Sequence, residues 1–266
     1  MHIHYLDPFR EISSPIHELD PRVKLVLSLA FIITTALVSP GVWPVYILLL
    51  AIIFSVIILS RLGFLFVLKR SLLALPFVFA ALPVIFTIKG NSLVSIMAGS
   101  WILTASTQGL ERFISIAFKS WISVQTAIVL ASSTPFPDLL MAMRAIHIPR
   151  LLVAIFGLMW RYLFVLVDEA LRLMRARLAR SGETGLPDRK TGGSIAWRAQ
   201  VTGGMAGSLF LRALERSDHI YNAMLSRGYN GEVFTLDLPG LRPAQWFALF
   251  GGLGLLLALL MISFLF

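Results

Sequence analysis

Two arginines stand in similar surroundings near the ends of two long, helix-forming stretches of the chain. Arg180 and Arg227 are each enclosed by small residues. The small neighbours are Ala179 and Ser181 in the first stretch and Ser226 and Gly228 in the second. Arginine offers five N–H donors in a rigid fork and can bind a carboxylate through two parallel hydrogen bonds. Because small neighbours leave the guanidinium clear of its own backbone, this spacing favours insertion of each helix end into an acidic groove of a partner protein.

Each arginine also has a simpler interpretation. A cation in the last turn of a helix suits the helix dipole, and Gly182 and Gly228 are suited to end a helix in the left-handed conformation. On this interpretation both side chains are merely solvated. The repetition of the pattern within one basic segment favours docking over solvation.

The first of these stretches changes character along its length. Leu151 to Val167 is apolar but for one arginine, and Asp168 to Arg180 is basic. Asp168 and Glu169 precede Arg172 by four and three residues, so either pair would stabilise an exposed helix by about 0.2–0.5 kcal/mol. The stretch therefore predicts a long helix with an apolar first half and a charged second half.

The second stretch, Ser194 to Arg227, contains three glycines: Gly203, Gly204 and Gly207. Gly203 and Gly207 are four residues apart and share one helix face, which lets another helix approach closely. The alternative is a flexible, poorly helical stretch, since each Gly costs about 1 kcal/mol relative to Ala in a helix. We expect a tight crossing here with the Leu151–Arg180 helix, which gives a scissor-like pair whose ends are the two arginines.

The composition is that of a membrane protein. Of the 266 residues, 57% are hydrophobic and 14% are charged, against about 25% charged residues in a soluble domain. Apolar runs near 20 residues, long enough to span a bilayer, occur at about 23–39, 43–60, 71–88, 113–132 and 246–266. The net charge of +9 is attributed to basic residues that collect on the cytoplasmic side, rather than to nucleic-acid binding.

The placement of Lys and Arg orients these runs. Arg22 and Lys24 lie at the start of the first run, and Arg61, Lys69 and Arg70 follow the second, which puts the N-terminus and the segment 61–70 on the cytoplasmic side and the turn at 39–44 outside. The segment 89–112 is less apolar and is expected to be external, interfacial or partly re-entrant. Five spans give a cytoplasmic N-terminus. The rival count adds Leu151–Val167 as a sixth span, which would place the two arginines on opposite sides of the membrane.

Together these elements predict an all-α polytopic membrane protein, with about five transmembrane helices plus a cytoplasmic pair of long crossing helices. Three domains are predicted. Residues 1–135 contain an N-terminal lead-in and the first four spans, residues 136–240 form a cytoplasmic domain, and residues 241–266 form the last span. Within the cytoplasmic domain, Asp138 is expected to cap a short helix over 139–146.

Three local features of the spans carry further expectations. Asp20 before Pro21 predicts a helix start. Pro76 and Pro83 predict bends in the third run. Lys119 lies within the fourth run, where a lone lysine must either reach the interface or face the interior of the bundle.

Other chemistry finds little support in the sequence. There is no Cys, and no Gly-rich loop of the G-x-x-x-x-G-K-[ST] kind, so the chain itself is not expected to bind ATP. No Ser/His/Asp or paired-carboxylate arrangement stands out. His2 and His4 could hold Co²⁺ or Ni²⁺, although such a pair at a terminus is more often incidental. His17, His147 and His219 are isolated and are assigned to interfaces or turns.

Three motifs carry a resemblance to a known family. They are Leu19-Asp20-Pro21-Arg22-Val23-Lys24-Leu25, then Pro149-Arg150-Leu151-Leu152 leading to Trp160-Arg161-Tyr162-Leu163-Phe164, and Gly207-Ser208-Leu209-Phe210-Leu211-Arg212 leading to Met224-Leu225-Ser226-Arg227-Gly228-Tyr229. With these motifs in this order, the chain resembles the transmembrane T component of energy-coupling factor (ECF) transporters over essentially its whole length. The cobalt-type branch, CbiQ, is the most similar.

The resemblance implies a coupling scaffold rather than an enzyme. In that family two cytoplasmic coupling helices end in Ala-Arg-Gly-like motifs that insert into a pair of ABC-type ATPase subunits, while the membrane part holds a separate substrate-binding S component. The corresponding motifs here are Ala179-Arg180-Ser181 and Ser226-Arg227-Gly228, in which Ser181 and Ser226 depart from the pattern but stay small. The chain would hold no cofactor: ATP and Mg²⁺ would sit on the partner ATPases, and Co²⁺ or Ni²⁺ in the S component. It would lie in the cell's inner (plasma) membrane.

Two other functions stay open at the level of the sequence. An integral-membrane enzyme acting on anionic lipids would use the basic domain to attract head groups, but it needs a polar catalytic cluster. A structural anchor for another cytoplasmic complex would share the docking helices without ATP-linked transport. The sequence does not fix the cargo ion, the S component, the subunit stoichiometry or the depth of Leu151–Val167 in the bilayer.

Overall fold

The computed structural model of the chain describes residues 8–88, 92–98, 101–180, 194–230 and 240–265. The chain divides into two compact units. Met1–Ile146 and Leu238–Phe266 form the first unit, and His147–Asp237 forms the second.

The first unit is built from helices and one hairpin. Its helices are α1 (Pro15–Glu18), α2 (Pro21–Leu37), α3 (Trp43–Ser60), α4 (Phe64–Ser71), α5 (Leu75–Ala80), α6 (Val84–Thr87), α7 (Thr107–Ser133), α8 (Phe136–Ala145) and α11 (Pro243–Leu265). A 3₁₀ turn at Leu72–Ala74 joins α4 to α5. The second unit holds the two longest helices in the described residues, α9 (Arg150–Arg180) and α10 (Ile195–Ser226).

The start of α2 confirms the sequence-based expectation. Asp20 is the N-cap, and its side chain accepts a hydrogen bond of 2.9 Å from the backbone N–H of Arg22, with Pro21 in the first turn. For α8 the expectation was wrong. This helix begins at Phe136 and Asp138 lies inside its first turn rather than capping it, because Pro137 has a fixed φ that already suits a helix start.

The segment after α3 is broken, as its prolines predict. Instead of one straight span, the chain runs through α4, the 3₁₀ turn, α5 and α6, with Pro76 in the first turn of α5 and Pro83 at the N-cap of α6. Each proline lacks a backbone N–H, so the ladder of helical hydrogen bonds is interrupted at these points. The whole stretch Phe64–Thr87 is nevertheless apolar and long enough to cross a membrane.

The segment 89–112 contains a β-hairpin that the sequence did not predict, and its location as external, interfacial or partly re-entrant stays a prediction. Its described part contains an antiparallel hairpin of β1 (Ser92–Ala98) and β2 (Trp101–Ser106), with Ala98 opposite Trp101 and an irregularity near Ser92. Helix α7 then starts at Thr107, six residues before the predicted run. Ser106 supplies the cap, because its hydroxyl accepts a 2.9 Å hydrogen bond from the N–H of Gly109.

The predicted all-α polytopic class is confirmed, with this hairpin as an addition to it. By length and composition, five helical stretches within the described ranges can cross a membrane: Trp43–Ser60, Phe64–Thr87, Thr107–Ser133, Arg150–Arg180 and Pro243–Leu265. This number agrees with the predicted count of about five spans, but the two sets of five do not contain the same helices. Helix α2, with 17 residues, spans about 25 Å and is not among these five, whereas α9 is. The prediction that α9 stays outside the bilayer remains a prediction.

The core of the first unit lies along one side of α3. Tyr46, Leu49 and Ile57 are almost completely buried there, against Ile122 of α7 and Leu256 of α11. The other sides of these helices expose large apolar residues such as Ile47, Ile58 and Phe264. A helix that is apolar on all sides but buried on only one is typical of a bundle surrounded by lipid.

Two lysines tie α2 and α7 together at opposite ends. Lys24, at the start of α2, donates to the carbonyl of Ser133 at 3.0 Å, where α7 ends, and to the carbonyl of His17 at 3.3 Å. Lys119 of α7 donates to the carbonyl of Ala36 at 2.9 Å, where α2 ends. The last carbonyls of a helix have no partner within it and carry partial negative charge. Each ammonium group therefore caps the neighbouring helix, and of the two expectations for Lys119 the structure shows the one in which it turns toward the bundle.

Candidate docking surface

The candidate site lies in the second unit, where α9 and α10 pack against each other in opposite directions. Glu169 of α9 bonds Arg212 of α10, and the Arg177 Nη1 donates to the Thr202 hydroxyl at 3.0 Å. The contacts move forward along α9 as they move backward along α10, so the two helices are antiparallel. The prediction of two long helices that pack on each other is met in this respect.

Glu169 is the charged centre of this contact. Its side chain is 17% exposed, and it lies between Arg212 and Arg172, the second at 3.8 Å. The predicted Glu169–Arg172 pair is therefore present. The alternative pair of Asp168 with Arg172 does not form within the described residues. The pairing with Arg212 was not predicted, because 43 residues separate the partners and no local spacing points to it.

The end of α10 has a well-defined shape. Arg227 is the C-cap and Gly228 follows with φ of +80°. The N–H of Gly228 bonds the carbonyl of Leu225 at 2.9 Å, and that of Tyr229 bonds the carbonyl of Met224 at 3.0 Å. These two bonds define a Schellman motif, so the predicted left-handed glycine at this helix end is confirmed.

The side chains at this end leave Arg227 free to act on a partner. The hydroxyl of Ser226 bonds back to the carbonyl of Asn222 at 2.9 Å, within its own helix. Arg227 is exposed, and its guanidinium forms no hydrogen bond or ion pair within the described ranges. The motif therefore presents the arginine at the helix end and occupies the neighbouring hydroxyl internally.

The described part of α9 ends at Arg180, which is exposed together with Ala179. The guanidinium of Arg180 likewise has no bonded partner in the part of the chain that the structure covers. Ser181, the third residue of the predicted motif, lies outside the described residues. Beside Arg180, an open groove of about 580 Å³ runs between the helices, lined by Arg172, Ala176 and Trp197 among others.

The two arginine ends point away from each other. Since α9 and α10 are antiparallel and meet between the Glu169–Arg212 and Arg177–Thr202 contacts, the length of helix between Arg180 and Arg227 is about 40 Å at 1.5 Å per residue. The surface therefore offers two separate docking points rather than one combined basic patch.

The three glycines do not form the expected crossing. A Cβ atom added at Gly203, Gly204 or Gly207 would meet nothing within 4 Å. At about 100° per residue, Gly203 and Gly207 lie on the side of α10 opposite Thr202 and Arg212, which face α9. The ion pair and the hydrogen bond turn the polar side of α10 toward α9, so the small-residue face is left open.

The histidines give no sign of a metal site in the described ranges, where no group of three or more His, Cys, Asp or Glu could hold an ion. His2 and His4 lie outside the described residues. His17 is partly buried, and its Nδ1 is 2.6 Å from the hydroxyl of Ser14. Burial, and then the charge of Lys24, lower the pKa of His17 from its ordinary value. It is thus a neutral packing residue at pH 7, in line with its assignment to an interface or turn.

Fold and site together define a polytopic helical membrane protein that carries a charged helical hairpin with two arginine ends. Comparison with known sequences makes this specific. The family model of the CbiQ cobalt transport proteins matches residues 12–236, so the chain belongs to that family.

Individual relatives agree with this membership. The chain is 29% identical over 166 residues to the cobalt transport protein CbiQ of Salmonella typhimurium, which covers 60% of this chain and 70% of the relative. It is 27% identical over 229 residues to the energy-coupling factor transporter transmembrane protein EcfT of Listeria innocua, covering 82% of each. It is also 27% identical over 165 residues to CbiQ of Rhodobacter capsulatus, covering 62% of this chain and 63% of the relative. A transporter is therefore favoured over a lipid-acting enzyme or an anchor.

Proposed function

We propose that the chain is the transmembrane coupling subunit, or T component, of an ECF-type importer for cobalt or nickel ions. Its partners are two copies of an ABC-type ATPase subunit, a membrane S component that binds the metal ion, and the lipid bilayer. It is a multi-pass protein of the cell's inner (plasma) membrane, with a cytoplasmic N-terminus. The chain itself is non-catalytic and holds no cofactor, because ATP and Mg²⁺ bind the ATPase subunits and the ion is carried by the S component.

The observation that carries this proposal is the geometry of α9 and α10. Two exposed arginines stand at opposite ends of an antiparallel pair whose middle is fixed by Glu169 and Arg212. Two separated docking points suit a pair of ATPase subunits, one for each arginine. A guanidinium at a helix end can bind a carboxylate in each groove bidentately.

Mechanical coupling follows from the same geometry. When ATP binding draws the two ATPase subunits together, the docked helix ends must move with them. Because the Glu169–Arg212 contact joins the two helices near their middle, a displacement at either end changes the angle between them. The membrane-embedded part then transmits this change to the S component.

The proposal is tested by reversing the charge at both ends, with Arg180→Glu and Arg227→Glu in one variant. We expect the ATPase subunits to be lost on purification of the full-length chain in detergent, and cobalt uptake by cells to fall to background. The matched control is Arg175→Glu with Arg216→Glu, which places the same charge change on exposed positions of the same two helices.

The control variant is expected to keep its ATPase subunits and its uptake. ATPase association that survives in the Arg180/Arg227 variant would refute the role of these arginines. A loss of association in both variants would show that the overall basic charge, and not the helix ends, binds the partner. Circular dichroism of both purified variants confirms that the helices are retained.

A further inference from the structure

A second basic feature lies in the first unit, around the ring of Phe66 in α4. The guanidinium carbon of Arg10 is 3.7 Å from the ring centroid, and that of Arg70 is 4.5 Å from it. Each contact is a cation–π interaction. Since both guanidinium groups lie over one ring, they are within about 8 Å of each other. Two like charges are thus held close together by a single aromatic side chain.

The three residues are fixed in place by their surroundings. Arg10 is positioned through its backbone N–H, which bonds the carbonyl of Ser132 at the end of α7 at 3.0 Å. Phe66 packs on the hydrophobic core, and Arg70 follows it by four residues, on the same face of α4. The next residue, Ser71, accepts a hydrogen bond of 2.9 Å from the indole N–H of Trp121. The pair of cations is therefore pre-organised before any ligand arrives.

The chain around these two cations is poor in acidic residues, and among the described residues Glu11 is the one carboxylate adjacent to Arg10 in the sequence. The sequence has no Asp or Glu from Pro21 to Leu110, while Arg61 and Lys69 add two more cations to the same loop and helix. Neither Arg10 nor Arg70 forms an ion pair within the described residues. Two exposed guanidinium groups that repel each other, with no carboxylate between them, favour an external anion that bridges both.

The surroundings of this pair are apolar and face outward. Leu65, Leu72 and Leu73 are 69%, 59% and 68% exposed, and they belong to the same apolar stretch, Phe64–Thr87, that is long enough to cross a membrane. In a lipid bilayer these leucines meet acyl chains, and the basic end of α4 then lies at the level of the head groups. The positive-inside rule also places this loop on the cytoplasmic side, where the bilayer surface is negatively charged.

We propose that Arg10 and Arg70, held on Phe66, bind the phosphate of one anionic phospholipid whose acyl chains lie along the exposed leucines of α4. A phosphate accepts short, charge-assisted hydrogen bonds of about 2.7–2.9 Å from arginine and can take one from each guanidinium. The bound lipid neutralises the repulsion between the two cations and ties the N-terminal segment to α4. This site is independent of the ends of α9 and α10.

The experiment uses the full-length chain in liposomes and the fluorescence of Trp121, which lies beside the site through its bond to Ser71. Brominated phosphatidylglycerol and brominated phosphatidylcholine quench a tryptophan that they contact. The Trp121 contribution is the difference between the wild-type chain and Trp121→Phe. In the wild type we expect phosphatidylglycerol to quench Trp121 more strongly than phosphatidylcholine does. In the double variant Arg10→Gln/Arg70→Gln, the preference for the anionic lipid is expected to be at least fivefold lower.

The matched control is the double variant Arg61→Gln/Lys69→Gln. It removes two positive charges from the same region but leaves Arg10 and Arg70 on the ring of Phe66. This variant is expected to keep most of the preference. An equal loss in the control would show diffuse attraction to the basic loop and overturn the site. An unchanged preference in the Arg10/Arg70 variant would overturn it as well. Relief of quenching by millimolar inorganic phosphate would identify a free anion, and not a lipid, as the occupant.

Discussion

Gly228 provides a direct test of whether the shape of a helix end matters for docking. Its φ is +80°, and an added Cβ would meet no atom within 4 Å. The cost of Gly228→Ala is therefore conformational and not steric, about 1–2 kcal/mol for an L-residue in the left-handed region. If the free alanine variant relaxes out of the Schellman motif, docking must restore it. At about 1.4 kcal/mol for each tenfold change, ATPase binding is expected to weaken by about 5- to 30-fold.

The assay is binding of the purified ATPase subunit to the full-length chain in nanodiscs, followed by biolayer interferometry. Gly228→Asn is expected to give an intermediate affinity, since asparagine visits the left-handed region more readily than alanine. Arg227→Ala keeps the helix end but removes the guanidinium, and it is expected to lose more affinity than either. Wild-type affinity in Gly228→Ala together with lost affinity in Arg227→Ala would refute the role of the helix-end conformation.

Gly207→Ala is the matched control in the same helix. Its added Cβ also meets no atom within 4 Å, but Gly207 lies in the interior of α10 with a helical backbone. Alanine is expected to stabilise the helix by about 1 kcal/mol and to leave docking unchanged. Weaker docking or lower transport in this variant would show that the glycine face is covered by a partner in the assembled transporter.

Two further predictions concern the contacts that hold the helices in place. Lys24→Met removes two charge-assisted bonds at a position only 8% exposed, and is expected to lower stability by about 2–3 kcal/mol. Lys119→Met removes a single bond, which is more exposed to solvent than those of Lys24, and is expected to lower stability by about 1 kcal/mol. Thermal unfolding in detergent checks both values, and a reversed order would contradict the assigned caps. In a double-mutant cycle of Glu169→Gln and Arg212→Gln, a coupling of about 1 kcal/mol is expected. A coupling near zero would show that this ion pair does not hold the crossing.

Much of the site followed from local patterns. The small residues around Arg227 and the glycine after it predict a capped helix end, and the structure has that end. The bends at Pro76 and Pro83 and the helix start at Asp20 follow in the same way, because each depends on the backbone chemistry of one residue and its immediate neighbours. The start of α7 at Thr107 was not predicted. Its N-cap, Ser106, lies in the segment 89–112, which the low hydropathy of its residues had separated from the following apolar run.

The membrane class, the two long helices, the arginines at their ends and the resemblance to the family could all be recognised from the amino-acid sequence. Which side of α10 meets α9 became clear only in the folded chain, where Thr202 and Arg212, and not the glycines, face α9. Helical periodicity fixes which residues share a face, but not which face is buried. That choice depends on partners distant in the chain: Glu169 lies 43 residues from Arg212, and Lys24 lies 109 residues from the carbonyl that it caps.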